Sequence, residues 1–199
     1  MLTIQKNHFK AALSCASKKD VRFYLVGVLL ECASNGDLHI VGCDGHTLFA
    51  GLVTANNINW TGEAKPGPWK MIIPADAIKQ ALKSDRNDFL TLTLVGTDTY
   101  QLGNSTVFKP VDGTFPDWRR VSQWPNAEPA PGQYNAELVL QASQAVSLWF
   151  NYGTKSFPHL HQFGSSSGVM TGENMTGFAI IMPLRASSSD IRPFTPATY

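Results

Sequence analysis

The stretch "KMIIPADAIKQALKS", residues 70–84, changes character in its middle. Its first five residues read as a short strand, and the ten that follow read as a helix beginning at Ala75 or Asp76. The same order stands earlier. "LTIQ" precedes a helical pattern over residues 6–16, where Phe9, Ala12, Leu13 and Ala16 recur on one helix face. Strands follow each helix: "FYLVGVLLECA" and "DLHIVGCDGHTLFAGLVT" across the turn signal "SNGD", then "FLTLTLVG" and "TYQLGNSTVFKPV" across "TDT". A third unit opens with "GQYN", in which Asn135 is suited to cap the helix "AELVLQASQAVSLWF". It closes with "FPHLHQFG", "SSGVMTG" and "GFAIIMPLR". The period is roughly 55 to 65 residues, carried by element order rather than identities. A unit of strand, helix and antiparallel strands predicts an α+β fold with helices over one sheet face.

The proline-bearing connectors "EAKPGPW" and "WPNAEPAPG" fall between units, where linkers belong. The expected organisation is a two-unit domain over 1–122 (units 1–62 and 66–122), a linker over 123–132, a half domain over 133–186 and a flexible tail over 187–199. Composition narrows the function. At 199 residues, 43% hydrophobic and 16% charged, the chain has the make-up of a soluble globular protein. A formal net charge of +1 gives no overall drive toward nucleic acid or membrane, so an electrostatic partner needs a local patch. Three cysteines, Cys15, Cys32 and Cys43, with no CxxC spacing, argue against a disulfide framework or a zinc site and fit a reducing cytoplasm. There is no apolar signal core and no membrane-length run. No P-loop or dinucleotide fingerprint is present, so nucleotide hydrolysis and a cofactor are not expected.

"VDGTFPDWRRV", residues 111–121, is a different kind of segment. Asp112 and Gly113 supply turn chemistry, and Pro116 holds Phe115 extended. Phe115 and Trp118 offer apolar surface beside Arg119 and Arg120, a mixture suited to a binding surface. With "DVRFYLVGVLLE", "VGCDGHTLFAG" and the late "IIMPLR", it occurs in the order and spacing of matching segments of the bacterial DNA polymerase III β sliding clamp family. Residues 1–122 resemble that clamp's middle domain, and the third unit resembles the second half of its last domain. The resemblance is thus to a shortened clamp with three half-domain units, of the kind a phage, prophage or plasmid carries.

That resemblance implies a non-enzymatic processivity factor that encircles duplex DNA and tethers polymerase and clamp loader through short peptides. The implied peptide cleft takes Leu25 and, from "CDGHTL", Cys43, Gly45, His46, Thr47 and Leu48. Pro116, Arg120 and Val121 form another wall, and Ile180, Ile181, Met182, Pro183, Leu184 and Arg185 close it. A preformed groove with a flexible Met suits varied peptides. Cys43 and Thr47 are smaller or less charged than common family choices, which points to a different partner preference. The implied DNA-facing residues are Lys6, Lys10, Lys18, Lys19 and Arg22 of the first helix and its exit, then Lys79, Lys83 and Arg86 of the second. Lys6 with Lys10, and Lys79 with Lys83, stand at i and i+4 on one face. The third helix offers Gln141 and Gln144 instead of charge and is ranked the weakest DNA-facing element. A family ring of twelve such units, made from chains of three, implies a homotetramer, cyclic or dihedral, ahead of a dimer.

Three other readings come from the residues themselves. A clamp-like decoy would compete for clamp-binding peptides without encircling DNA, with "QAVSLWF" or the tail residues Ile191 and Phe194 as cleft ligands. Cys43 and His46, beside Asp44, suggest a thiol hydrolase, although no oxyanion-hole motif accompanies them. His159 and His161 alternate on one strand face and invite a metal, yet lack a third ligand.

Overall fold

In the computed structural model, which describes residues 1–60, 68–153 and 157–184, the first two units exchange their opening strands. The first unit runs β1 (Leu2–Gln5), α1 (Lys6–Cys15), β2 (Gly27–Cys32), β3 (Leu38–Cys43), β4 (Thr47–Val53) and a short β5 (Asn59–Trp60). The second runs β6 (Trp69–Pro74), α2 (Ala75–Ser84), β7 (Phe89–Leu94), β8 (Tyr100–Leu102), β9 (Thr106–Phe108) and a single helical turn, α3 (Trp118–Val121). α4 (Ala136–Trp149), β10 (His159–His161), β11 (Gly168–Thr171) and β12 (Gly177–Ile181) make the third. β1 pairs with β7 of the second unit, and β6 pairs with β2 of the first. Neither unit closes its sheet without the other.

The third unit docks by its last strand. β12 runs antiparallel to β4, so its three strands extend the first unit's sheet into one of seven strands, β10-β11-β12-β4-β3-β2-β6. The second sheet has five, β5-β1-β7-β8-β9. Two glycines make the docking possible. Gly51 and Gly177 face each other across the β4·β12 seam, and a Cβ on either would meet the Trp149 ring of α4 at 2.3 and 2.4 Å. Trp149 therefore lies flat over the seam, stacked on the other side by His8 of α1 at 4.0 Å. Gly42 plays a similar part for α1, since a Cβ there would strike the Ala12 carbonyl.

Apolar burial explains why the strands of the first unit do not alternate. One core lies between helices and sheets and holds Phe9, Leu30, Phe49, Ile73, Ile78, Leu90 and Ile181. A second lies on the opposite face of the seven-stranded sheet, where Leu29, Val41, Leu48, Ile72, Val169 and Ile180 are covered by Trp118. β2 is thus buried at all six positions, as a strand covered on both faces must be.

Three local expectations change. "FYLVGVLLECA" is not one strand, because Leu25 and Val26 donate back to the carbonyls of Arg22 and Phe23 in a tight turn and the strand begins at Gly27. "FPDWRRV" is not wholly a loop, since Trp118–Val121 is a helical turn. "GQYN" forms no strand: with no sibling unit to pair with, the preceding Ala130 turns onto the end of β10, bonded to the Gln162 carbonyl and the Gly164 N–H. Arg185 and the tail lie outside the described residues.

Candidate functional site

The outer-face core opens into a groove of about 640 Å³ where the three recognised segments converge. Leu25, Leu48 and Ile180 supply its apolar floor, each at most 5% exposed. One wall is the turn between β3 and β4. Asp44 accepts the N–H groups of His46 and Thr47 at 2.8 and 2.7 Å, Gly45 takes φ +92°, and the Gly45 N–H donates to Cys43 Sγ. Only glycine holds that backbone cheaply. Gln141 of α4 donates from Nε2 to Asp44 Oδ2 and Thr47 Oγ1, both at 2.9 Å, so the third unit's helix is latched to this wall.

The opposite wall is α3 with Pro116, Arg120 and Val121. It is held by a carboxylate far away in sequence: Glu31 Oε2 accepts Trp118 Nε1–H at 3.0 Å and Arg119 Nη1–H at 2.8 Å, and Lys70 pairs with its other oxygen at 2.9 Å. Burial would raise the Glu31 carboxyl, but the Lys70, Arg119 and Trp118 donors outweigh it and hold the pKa at about 2. The third side is β12's continuation, with Met182 and Pro183, fixed when the Met182 N–H donates to the His46 carbonyl at 2.9 Å.

Most residues expected at a cleft line this groove, and three do not. Ile181 points the other way, fully buried in the helix-side core, because neighbours on a strand face opposite sides of the sheet. Leu184 is half exposed and outside the lining, its N–H bound to the Gln133 carbonyl. Arg185 lies outside the described residues. Sequence reading missed Arg22, Gln123, Pro125 and Ser165, Ser166 and Ser167, which rim the groove, and Glu31 behind it. A lone acidic residue inside an apolar strand was the available signal for Glu31.

The basic residues fall into distinct settings. Lys10, Lys18, Lys19, Lys83 and Arg86 are exposed. Lys79 is exposed but bridges Asp76 at 3.1 Å. Lys6 is half-buried, its ammonium bound to the Asp85 carbonyl at 2.6 Å beyond the end of α2, so it joins two elements rather than sharing a free face with Lys10. Arg22 pairs with Asp20 at 2.7 Å and rims the groove. Burial pushes His8 down to about 4, which makes it a neutral packing residue.

The remaining candidates are absorbed into structure. Burial raises the Cys43 thiol, the opposite of what a nucleophile needs. His161 faces Thr171 Oγ1 at 2.9 Å, and among the described residues no group of three His, Cys, Asp or Glu is placed to hold a metal. "QAVSLWF" is in α4, with Val146 and Trp149 in the core. No helix among the described residues is long and apolar enough to cross a membrane.

Comparison with known proteins places this geometry. No family model matches the chain. Over 108 residues it is 33% identical to the beta sliding clamp of Proteus mirabilis, a match covering 52% of this chain and 27% of that one. The DNA polymerase sliding clamp of Pseudomonas aeruginosa superposes with a TM-score of 0.68 at 16% identity, covering 92% of this chain and 66% of that one. The Helicobacter pylori beta clamp bound to a DNA ligase peptide gives 0.67 at 14% identity, over 93% and 66%. A Pseudomonas aeruginosa clamp bound to griselimycin gives 0.60 at 16% identity, over 94% and 66%. This chain spans about a quarter of the curated relative it matches and about two thirds of the solved clamps.

Proposed function

We propose that this chain, a relative of the bacterial DNA polymerase III β sliding clamps and a protein of their fold, acts as a sliding clamp: a non-enzymatic ring that tethers replication or repair proteins to duplex DNA. One observation carries the reading. Segments far apart in sequence, "CDGHTL", "FPDWRRV" and "IIMP", meet in one open apolar groove. Core packing alone does not require three surface segments to converge, whereas a peptide receptor does. The groove offers apolar floor for two or three anchoring side chains, with Arg120 and Arg22 at the rim as partners for an acidic or carboxylate group. A solved clamp of the same fold holds a DNA ligase peptide, which supports the same class of ligand here.

DNA contact is assigned to the exposed cations, Lys10, Lys18, Lys19, Lys83 and Arg86, whose charge a phosphate backbone would neutralise. The assembly is a homotetramer whose twelve units close a ring, with a two-unit domain at 1–122 and a half domain beyond it. The decisive experiment measures assembly mass together with retention on circular and linearised DNA. A ring stays on the circle and slides off free ends, and equal retention on both removes encirclement. Fluorescence anisotropy with a short clamp-binding peptide tests the groove separately, and binding without topological retention would identify the decoy.

A further inference from the structure

Each of the three units ends its sheet with its last strand, and two of those strands are joined. β4 of the first unit and β12 of the third run antiparallel, with Leu48 opposite Ile180 and Gly51 opposite Gly177. β9 of the second unit has β8 on one side and, among the described residues, no strand on the other. Other edges are blunted. The Val111 N–H donates to the Ile72 carbonyl alongside β6, and Ala130 bridges the end of β10. An open edge carries unpaired backbone groups that another strand satisfies.

We propose that β9 pairs with β9 of a second copy, antiparallel across a twofold axis, repeating between chains the seam that β4 and β12 make within one. The proposal rests on the ring reading above and specifies how the ring is joined. Its first support is the strand itself: Val107 is 59% exposed between buried Thr106 and Phe108, so one face of β9 is finished and the edge beside it is clear. The helix-side end of this sheet is also uncovered. Leu94, opposite Tyr100, is 57% exposed, and Tyr100 packs on Phe108 at 6.0 Å. The flank of α2 agrees. Matching the first residues of α1 and α2 puts Ala77, Gln80 and Ser84 where α1 has His8, Ala11 and Cys15, and His8 is the residue stacked on α4. That stripe of α2 carries no charge, while Asp76, Lys79 and Lys83 keep to the adjacent stripe. An uncharged flank lets two α2 helices lie beside the seam as α1 and α4 do.

The pairing rules decide the symmetry. A unit makes one last-strand seam and one exchange of opening strands, so the two kinds must alternate around a closed ring. In each chain a seam joins the third unit to the first, and an exchange joins the first to the second. The second unit therefore has a seam left, and the third an exchange. Unlike contacts cannot mate, so second meets second and third meets third. Both contacts are isologous and the tetramer is dihedral. A cyclic tetramer would set the β9 edge against a third unit whose seam strand is already taken by β4.

Val107→Cys tests this directly, because a residue at the centre of an antiparallel twofold lies opposite itself within disulfide reach. Mild oxidation should give a disulfide-linked dimer inside the assembly, several-fold above Val121→Cys, an exposed control outside the seam. Val107→Asp should lower the assembled mass about twofold by light scattering. A cooperative melt and unchanged circular dichroism confirm that both variants fold. An assembled wild type with no excess cross-link and an unchanged Val107→Asp mass overturns the β9 seam and leaves the ring reading standing. A wild type that is monomeric at micromolar concentration overturns the ring and the seam together.

Discussion

The indole N–H of Trp118 donates to Oε2 of Glu31 at 3.0 Å, a bond between residues 87 positions apart that fixes one wall of the groove. The same oxygen takes Arg119, whose guanidinium also lies 4.3 Å from the Trp118 ring centre. Glu31→Ala strands a buried indole donor and two cations, so it should cost about 1 to 3 kcal/mol in urea unfolding and weaken peptide binding at the α3 wall. The charge is also titratable. Its folded pKa of about 2 lies below the ordinary 4.5, so its contribution is complete above pH 4.5 and is lost as pH falls toward 2. Wild-type stability should therefore drop over that window by on the order of 3 kcal/mol. Glu31→Gln should flatten the slope there, and an unchanged acid limb would assign it to other carboxylates.

His8 titrates in a higher window. Burial lowers its pKa from 6.5 to about 4, so the folded protein prefers the neutral ring stacked on Trp149. Its stability contribution is complete above pH 6.5 and declines as pH falls toward 4. Melting temperature followed across pH 7 to about 4 should fall in the wild type, and the fall should shrink in His8→Phe, which keeps an aromatic ring against Trp149 without a proton to take up. Because Trp149 covers the β4·β12 seam, the tryptophan fluorescence of the wild type should shift in the same window.

The fold is readable because its signals are local, and the groove because its segments are ordered. Asn135 does cap α4, its side chain accepting the Glu137 N–H at 2.8 Å, and the helix expected from Ala75 starts there. What sequence does not carry are the long-range choices. Nothing near Gln141 announces a hydrogen bond to Asp44, 97 residues away, and an absence of charge there reads only as a weak DNA-facing helix. Ile181 is expected in the groove with its neighbours Ile180 and Met182, but strand alternation sends it to the other core. Lys6 and Lys10 share a helix face in principle, yet the end of α2 captures Lys6.

That capture separates two classes of lysine. Replacing Lys10, Lys18, Lys19 and Lys83 by Gln should weaken DNA retention and lower the salt dependence of binding, with each lost phosphate contact reducing the slope of log K against log salt by about 0.9. Peptide affinity should stay the same. Lys6→Gln, by contrast, removes a donor from the Asp85 carbonyl and should lower stability by about 0.5 to 1.5 kcal/mol with little change in DNA salt dependence. Equal effects of the two sets on DNA would mean that the structural bond of Lys6 does not survive in the assembled ring.

Met182 is the cleanest probe of the groove itself. Its backbone N–H is committed to His46, but its side chain is 45% exposed at the groove's edge, so truncation removes an apolar contact without opening the core. Met182→Ala should leave the melt unchanged and weaken a bound peptide by about 1 to 3 kcal/mol, roughly ten- to hundredfold in Kd. Its neighbours supply opposite controls. Leu184→Ala, outside the lining, should change neither stability nor affinity, since that side chain is half exposed. Ile181→Ala should cost about 2 to 5 kcal/mol of stability as a core truncation, while the folded fraction binds peptide as before. Fluorescence anisotropy and denaturant titrations on the three variants decide the matter: if Met182→Ala binds peptide as tightly as wild type, the peptide does not pass over this end of the groove.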